Sequence, residues 1–195
     1  MLVSGVAQGA GPTHQPAKAL LVNQIIDAAA GDWNADGLRD LAILADSSDP
    51  DEEIGLYVYL RDADTEMLKQ VVALPNRFWG RTHAEGGMFG QSASITALGN
   101  GSIAIETQNT GVGRSAWQSK VSVAFRNGQF IVAGYTHSEY DKLQQEKPLD
   151  CDLNLLSGKG TVNKKPVTFT PMSLKIEDWH EDSDSNPVQR ICRNS

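Results

Sequence analysis

Residues 31–41 read Gly-Asp-Trp-Asn-Ala-Asp-Gly-Leu-Arg-Asp-Leu. Counting from Asp32, oxygen-bearing side chains fall at loop positions 1, 3, 5 and 9, as Asp32, Asn34, Asp36 and Asp40. A hard cation such as Ca²⁺ takes about six to eight oxygens. Alternate spacing lets a tightly curled loop aim several of them inward. Gly37 supplies the backbone freedom for the sharp turn. The carbonyl of Leu38 is the expected main-chain ligand, and Arg39 points outward. Position 12 is Ile43, so the bidentate Glu of an EF-hand is missing. The loop runs into an apolar strand rather than a helix. The expected ligand set is therefore Asp32, Asn34, Asp36, Leu38 and Asp40. A calcium ion there would be structural, pinning the entry to a central strand. The alternative is a metal-free turn held by Asx hydrogen bonds.

Other chemistry-bearing residues form no comparable pattern. His14, His83, His137 and His180 are not paired at zinc-ligand spacing. Ser157-Gly158-Lys159 lacks the leading glycine of a phosphate loop and reads as a hairpin turn. Gly113-Arg114-Ser115-Ala116-Trp117 lacks the second glycine of a nucleophile elbow. No residue is assigned a catalytic role. Trp79, His83 and Trp117 could form a sugar-stacking surface, but tryptophan also serves as core or hairpin flank.

The elements that must position these residues read as strands. A strand is expected near Asn23–Ala28, then Leu41–Ala45 and Leu56–Leu60. A further one runs from Met67 to Leu74 and is ended by Pro75, with a long loop over 75–92. Ser94–Leu98 and Ile103–Thr107 flank Gly99-Asn100-Gly101 as a hairpin. Trp117–Phe125 and Gln129–His137 flank Asn127-Gly128 as another. Residues 139–148 are polar and suit a short helical turn. Asp152–Leu156, Gly160–Thr170 and Met172–Ile176 complete the set. The pattern predicts a mainly β fold, an antiparallel sandwich or incomplete barrel of about nine to ten strands with little helix.

At 195 residues the chain is one domain by length, read as residues 16–195 behind a tail over 1–15. Seventeen basic residues against 24 acidic ones give a net charge of −7. An acidic balance excludes nucleic acid as the expected partner. No apolar run is long enough for a membrane span. The acidity is local. Asp46, Asp49, Asp51, Glu52 and Glu53 form one run, and Glu177, Asp178, Glu181, Asp182 and Asp184 another. Both read as solvated edges. Cys151 and Cys192 permit one disulfide, worth about 4 kcal/mol by loop closure, or stand as two buried thiols. The small, mildly apolar stretch Leu2–Ala10 resembles the end of a signal peptide, so a periplasmic or secreted protein with that disulfide is expected.

Residues Gly31–Leu41 resemble the calcium loop of FG-GAP or VCBS-type repeats. Such repeats usually build propellers of about 60-residue blades, and one loop in 195 residues leaves no room for one. The chain is more similar to small secreted bacterial proteins of uncharacterised function carrying a single such loop. Ile25-Ile26-Asp27, Gly86-Gly87-Met88-Phe89-Gly90, Phe125–Tyr135 and Asp152–Lys159 carry that likeness across residues 24–160. Gln91 stands where an Asp is expected after Phe-Gly. The resemblance implies export, a β fold and the metal loop. The expected function is a non-catalytic, calcium-stabilised binding module for a protein, glycan or cell-wall partner. The alternatives are an immunity-type or inhibitor protein using its acidic loops on a basic target, and a hydrolase using His83 or Glu85 of the 75–92 loop.

Overall fold

A computed structural model describes residues 20–47, 53–80, 89–144, 148–181 and 186–194. Among them, twelve strands form two antiparallel sheets that do not close into a barrel. The fold is thus the expected sandwich, with more strands than foreseen. The tail over 1–15 lies outside the described residues.

The smaller sheet is a meander of β1 (Ile25–Gly31), β2 (Asp40–Ala45), β3 (Ile54–Arg61) and β4 (Leu68–Phe78). In β2, Ala42, Ile43, Leu44 and Ala45 are all buried, as a continuous apolar run predicts. Pro75 does not end β4, which continues to Phe78. This strand is an edge, and its register slips between the Ile54–Phe78 and Leu56–Leu74 pairs. A proline is tolerated at such a bulge on an edge strand. Asn76 takes a left-handed φ of 61° there, and its side-chain oxygen accepts the Glu53 N–H at 2.7 Å.

The larger sheet runs in sequence order through β5 (Gln91–Ala97), β6 (Ser102–Asn109), β7 (Ser115–Arg126), β8 (Gln129–Asp141), β9 (Leu149–Asn154), β10 (Lys159–Val162) and β11 (Lys165–Thr168). The short β12 (Leu174–Lys175) returns to Ile131 and Val132 of β8. Asn127 and Gly128 have φ of 51° and 77°, the paired left-handed values of a tight hairpin turn.

Two expectations fail here for local reasons. Gly160–Thr170 is not one strand, because Asn163 and Lys164 both turn left-handed, at 49° and 66°. Lysine is not a usual residue of that turn, so the signal was weak. The helical turn over 139–148 is absent from its described part. β8 instead runs on to Asp141, and the Asp141 carboxylate accepts the Leu143 N–H at 2.8 Å to turn the chain.

One core cluster joins the inner faces of both sheets. Leu44, Leu56, Val58 and Phe78 face Ile95, Ile103, Ile105, Val121 and Leu153, with Trp33 and Trp179 inside. The sheets also meet through a polar link. Asp27 on β1 accepts the Ala28 N–H and, at 2.8 Å, the Ile95 N–H of β5.

The last described element is α1 (Pro187–Asn194), where no helix was expected. Its start carries standard signals: Pro187 opens it, and the Asn186 side chain accepts the Val188 N–H at 3.0 Å. Cys151 of β9 and Cys192 of α1 form the expected disulfide, 41 residues apart in sequence. Val188 and Cys192 are the buried residues of the helix, so its contact with the sheet is small.

Reduction, or Cys192→Ser, is therefore expected to lower stability by about 4 kcal/mol and Tm by roughly 10 °C. Hydrogen exchange should report loss of protection at α1 before β7. Unchanged α1 protection would assign its docking to Val188 packing instead.

Candidate functional site

The loop between β1 and β2 is closed by its own amides. Asp32 accepts the Asp36 N–H at 3.1 Å and the Gly37 N–H at 2.9 Å. Asn34 accepts the same Asp36 N–H at 3.2 Å, and Asp36 accepts the Leu38 N–H at 2.8 Å. Left-handed φ at Ala35 (62°) and Gly37 (87°) completes the curl. Arg39 is exposed, as expected. Asp40 differs from the others. It is 1% exposed, and its two oxygens accept the Trp33 N–H at 2.8 Å and the Arg61 N–H at 2.9 Å. It thus ties the loop to β3.

The donor chemistry fits a hard cation. Four oxygen-bearing side chains lie on one curled segment, and an oxygen accepting one N–H keeps a further lone pair. The arrangement is not yet a cage. The Asn34 amide nitrogen donates to Asp36 at 2.7 Å, and among the described residues no three His, Cys, Asp or Glu side chains gather as a metal cluster. Bringing the oxygens together requires Asn34 to release Asp36. Asp36 is exposed and Asn34 half-buried, so neither is locked by packing.

A second site lies where the inner face of the larger sheet turns polar. Residues paired across the strands form rows on one face. The first row, Ile105, Val121, Tyr135 and Leu153, is buried core. The next is Thr107, Ser119, His137 and Cys151. The third is Asn109, Trp117, Glu139 and Leu149. Trp79, just after β4, covers the polar rows, together with Glu181 and the Gln189 and Arg193 side of α1. They enclose a cleft of about 300 Å³.

Its walls are held from behind. Glu181 is buried, accepting the Trp79 N–H at 3.1 Å and the Thr107 hydroxyl at 2.8 Å. Gln189 of α1 donates to the Glu181 carbonyl. The Trp79 and Trp117 rings meet edge to face, with centroids 4.7 Å apart at 66°. His137 stacks near Trp117 on one side and Tyr135 on the other. Its Nδ1 lies 2.8 Å from the Ser119 hydroxyl, and its Nε2 lies 3.6 Å from Glu139. Burial lowers the His137 pKa, against the opposing pull of Glu139. Burial raises Tyr135 to about 12, and the Glu181 charge adds to the rise.

Some expected site residues come together and others do not. Trp79 and Trp117 come together. His83 and Glu85 lie outside the described residues, as do residues 48–52 of one acidic run and 182–185 of the other. Glu177 and Asp178 are exposed, as an acidic edge should be. Glu181 is not part of that edge, because Thr107 and the Trp79 amide draw it inward. Ser119, His137, Glu139, Gln189 and Arg193 were missed as a group. A faint signal existed: the alternation Trp117, Ser119, Val121 places polar residues on a face that should stay apolar.

Comparison with protein-family models, with curated proteins and with solved structures gave no match.

Replacing Asp40 with Ala leaves two backbone donors unsatisfied in a buried place. The expected loss is about 3 kcal/mol, or roughly 6–12 °C in Tm. A loss below about 1 kcal/mol would mean that water replaces the carboxylate there. His137 has the opposite visibility, because it acts through pH. Its folded pKa lies below its ordinary 6.5, so its stabilisation is complete above that pH and is lost as the pH falls below it. Denaturant titrations from pH 7.5 to pH 5 should steepen in the wild type, and His137→Gln should flatten that slope.

Proposed function

We propose that this protein is a non-catalytic, calcium-stabilised binding module of the periplasm or the extracellular space. The observation that carries the binding part is the cleft. Trp117 stands on the larger sheet, two rows from the packed core, and Trp79, just after β4, meets its ring at 66°, so the recognition surface is preformed. The calcium part rests on Asp32, Asn34, Asp36, Asp40 and the Leu38 carbonyl, on a segment already curled by Asx turns. When bound, the ion would neutralise the loop carboxylates and join the β1 exit to the β2 entry. The Cys151–Cys192 disulfide supports an oxidising compartment.

The Ser119–His137–Glu139 chain favours a hydrolase as the second reading. It differs from the earlier hydrolase expectation, which used His83 or Glu85. Acyl transfer also needs an accessible nucleophile and donors aimed at the developing oxyanion. Ser119 is 3% exposed, and the Trp79 N–H is already given to Glu181. Binding accounts for the same residues without those further parts.

Thermal unfolding in EDTA and then in Ca²⁺ tests the calcium reading. At free Ca²⁺ of 100 times Kd, linkage gives about 2.7 kcal/mol, or several degrees in Tm. Asp36→Ala removes the exposed bonds to the Leu38 N–H and the Asn34 amide, so it should lower the EDTA stability by about 1 kcal/mol, yet lose the calcium shift. Equal Tm values in EDTA and Ca²⁺ for the wild type would leave a metal-free turn.

A further inference from the structure

We propose that the cleft between Trp79, Trp117 and α1 binds one ring of an uncharged pyranose saccharide, with the rest of the glycan extending past its mouth. This rests on the reading of the chain as a binding module and names its ligand class.

The walls have the two chemistries a sugar ring presents. A pyranose has a face of C–H bonds and a rim of hydroxyls. Trp79 and Trp117 are both half-buried in the lining, so they offer indole surface to a C–H face. Glu139 and Gln189 lie around them; Glu139 supplies acceptor oxygens, and Gln189, one amide N–H of which is given to the Glu181 carbonyl, keeps a second N–H. Glu181 has a different part. Its oxygens accept the Trp79 N–H and the Thr107 hydroxyl, so it is a positioning residue that holds Trp79 in place.

Size and charge narrow the ligand. About 300 Å³ is the low end of ligand cavities, so the cleft has room for a ring rather than a folded peptide segment. Quaternary ammonium ligands need aromatic faces spread around the cation. Here the two indoles touch, and Tyr135 is only 2% exposed. Among the described lining residues, anionic ligands meet two carboxylates, Glu139 and Glu181, against one guanidinium, Arg193. The buried His137 favours its neutral form and adds no compensating charge. An uncharged sugar avoids that repulsion.

The scaffold keeps the cost of binding low. Trp117 and Glu139 are paired residues of adjacent strands, and Gln189 and Arg193 sit on a helix bonded covalently to β9. The backbone that presents these side chains is thus fixed before binding.

The test is calorimetric titration of the full chain in Ca²⁺ with cellohexaose, maltohexaose and chitohexaose, and with hexagalacturonate as the acidic comparison. At least one neutral hexaose should bind, and hexagalacturonate should bind at least about tenfold more weakly. Trp117→Ala should weaken the neutral ligand by about tenfold or more, with Trp117→Phe intermediate. Leu143→Ala, at a residue 78% exposed on another loop, should bind as wild type. Tm values for each variant separate lost binding from lost folding. If no neutral hexaose binds while the calcium shift persists, the ligand class is overturned and the calcium-stabilised module stands. Binding that ignores both Trp117 substitutions places the sugar elsewhere and overturns the cleft. Reducing ends released from a bound hexaose would uphold the ligand class and overturn the non-catalytic reading.

Discussion

Ser119 lies opposite His137, and Trp117 opposite Glu139, because Asn127-Gly128 closes the β7–β8 hairpin and an extra residue of β8, between the Val123–Val132 and Ser122–Gly134 pairs, then shifts the ladder by one. The ladder is long, from Arg126–Gln129 to Ser115–Asp141, and carries one irregularity between Ser122 and Val123. A one-residue slip would turn every side chain beyond it to the other face. Val121 and Tyr135 would leave the core, and Trp117 would leave the cleft. The buried row therefore specifies the register, and the register places the polar rows. Core and site are consecutive stretches of one sheet face.

The second constraint is electrostatic and local. A buried carboxylate is costly unless its oxygens are satisfied. Asp40 meets that condition with the Trp33 and Arg61 amides, and in doing so fixes where the 32–40 loop leaves β1 and enters β2. Glu181 follows the same logic at the cleft, using Thr107 and the Trp79 amide. Asp27, half-buried, also accepts an amide where β1 meets β5. Asp27 and Glu181 thus join segments that strand pairing leaves separate, and Asp40 ties a loop to a paired strand. The outer members of the loop, Asn34 and Asp36, are not held by burial. That difference divides one acidic motif into an anchor and an adjustable part.

The disulfide adds to this pattern in a specific place. Its Cys151 belongs to the His137 row, and its Cys192 belongs to the helix that closes the cleft. The bond therefore stabilises the wall of the candidate site as well as the chain. A helix of eight residues is not stable alone, so its place also depends on Ile191 at the core and on the Gln189 bond to the Glu181 carbonyl.

Strand identity was legible because it depends on contiguous residues. The apolar run Leu41–Ala45, the alternation through Val121 and Val123, and the turns at Asn127-Gly128 and Gly99-Asn100-Gly101 are local signals, and the structure follows them. So does the start of α1 at Asn186-Pro187, a signal present in the chain but not read. Pro75 and Lys164 misled because their usual preference was overridden, by an edge bulge and by a tight turn. Oxygen spacing in residues 32–40 was visible, but not that Asp40 would turn inward to the Arg61 amide. The cleft was the least legible part. Trp79, Trp117, His137, Glu181 and Gln189 come from separate elements, and sequence distance says nothing of their proximity. By itself the sequence determined the strands, their turns and the two cysteines available for pairing. Only the tertiary structure decided which polar residues meet, because that depends on register summed across several strands and on a helix tied back by one covalent bond.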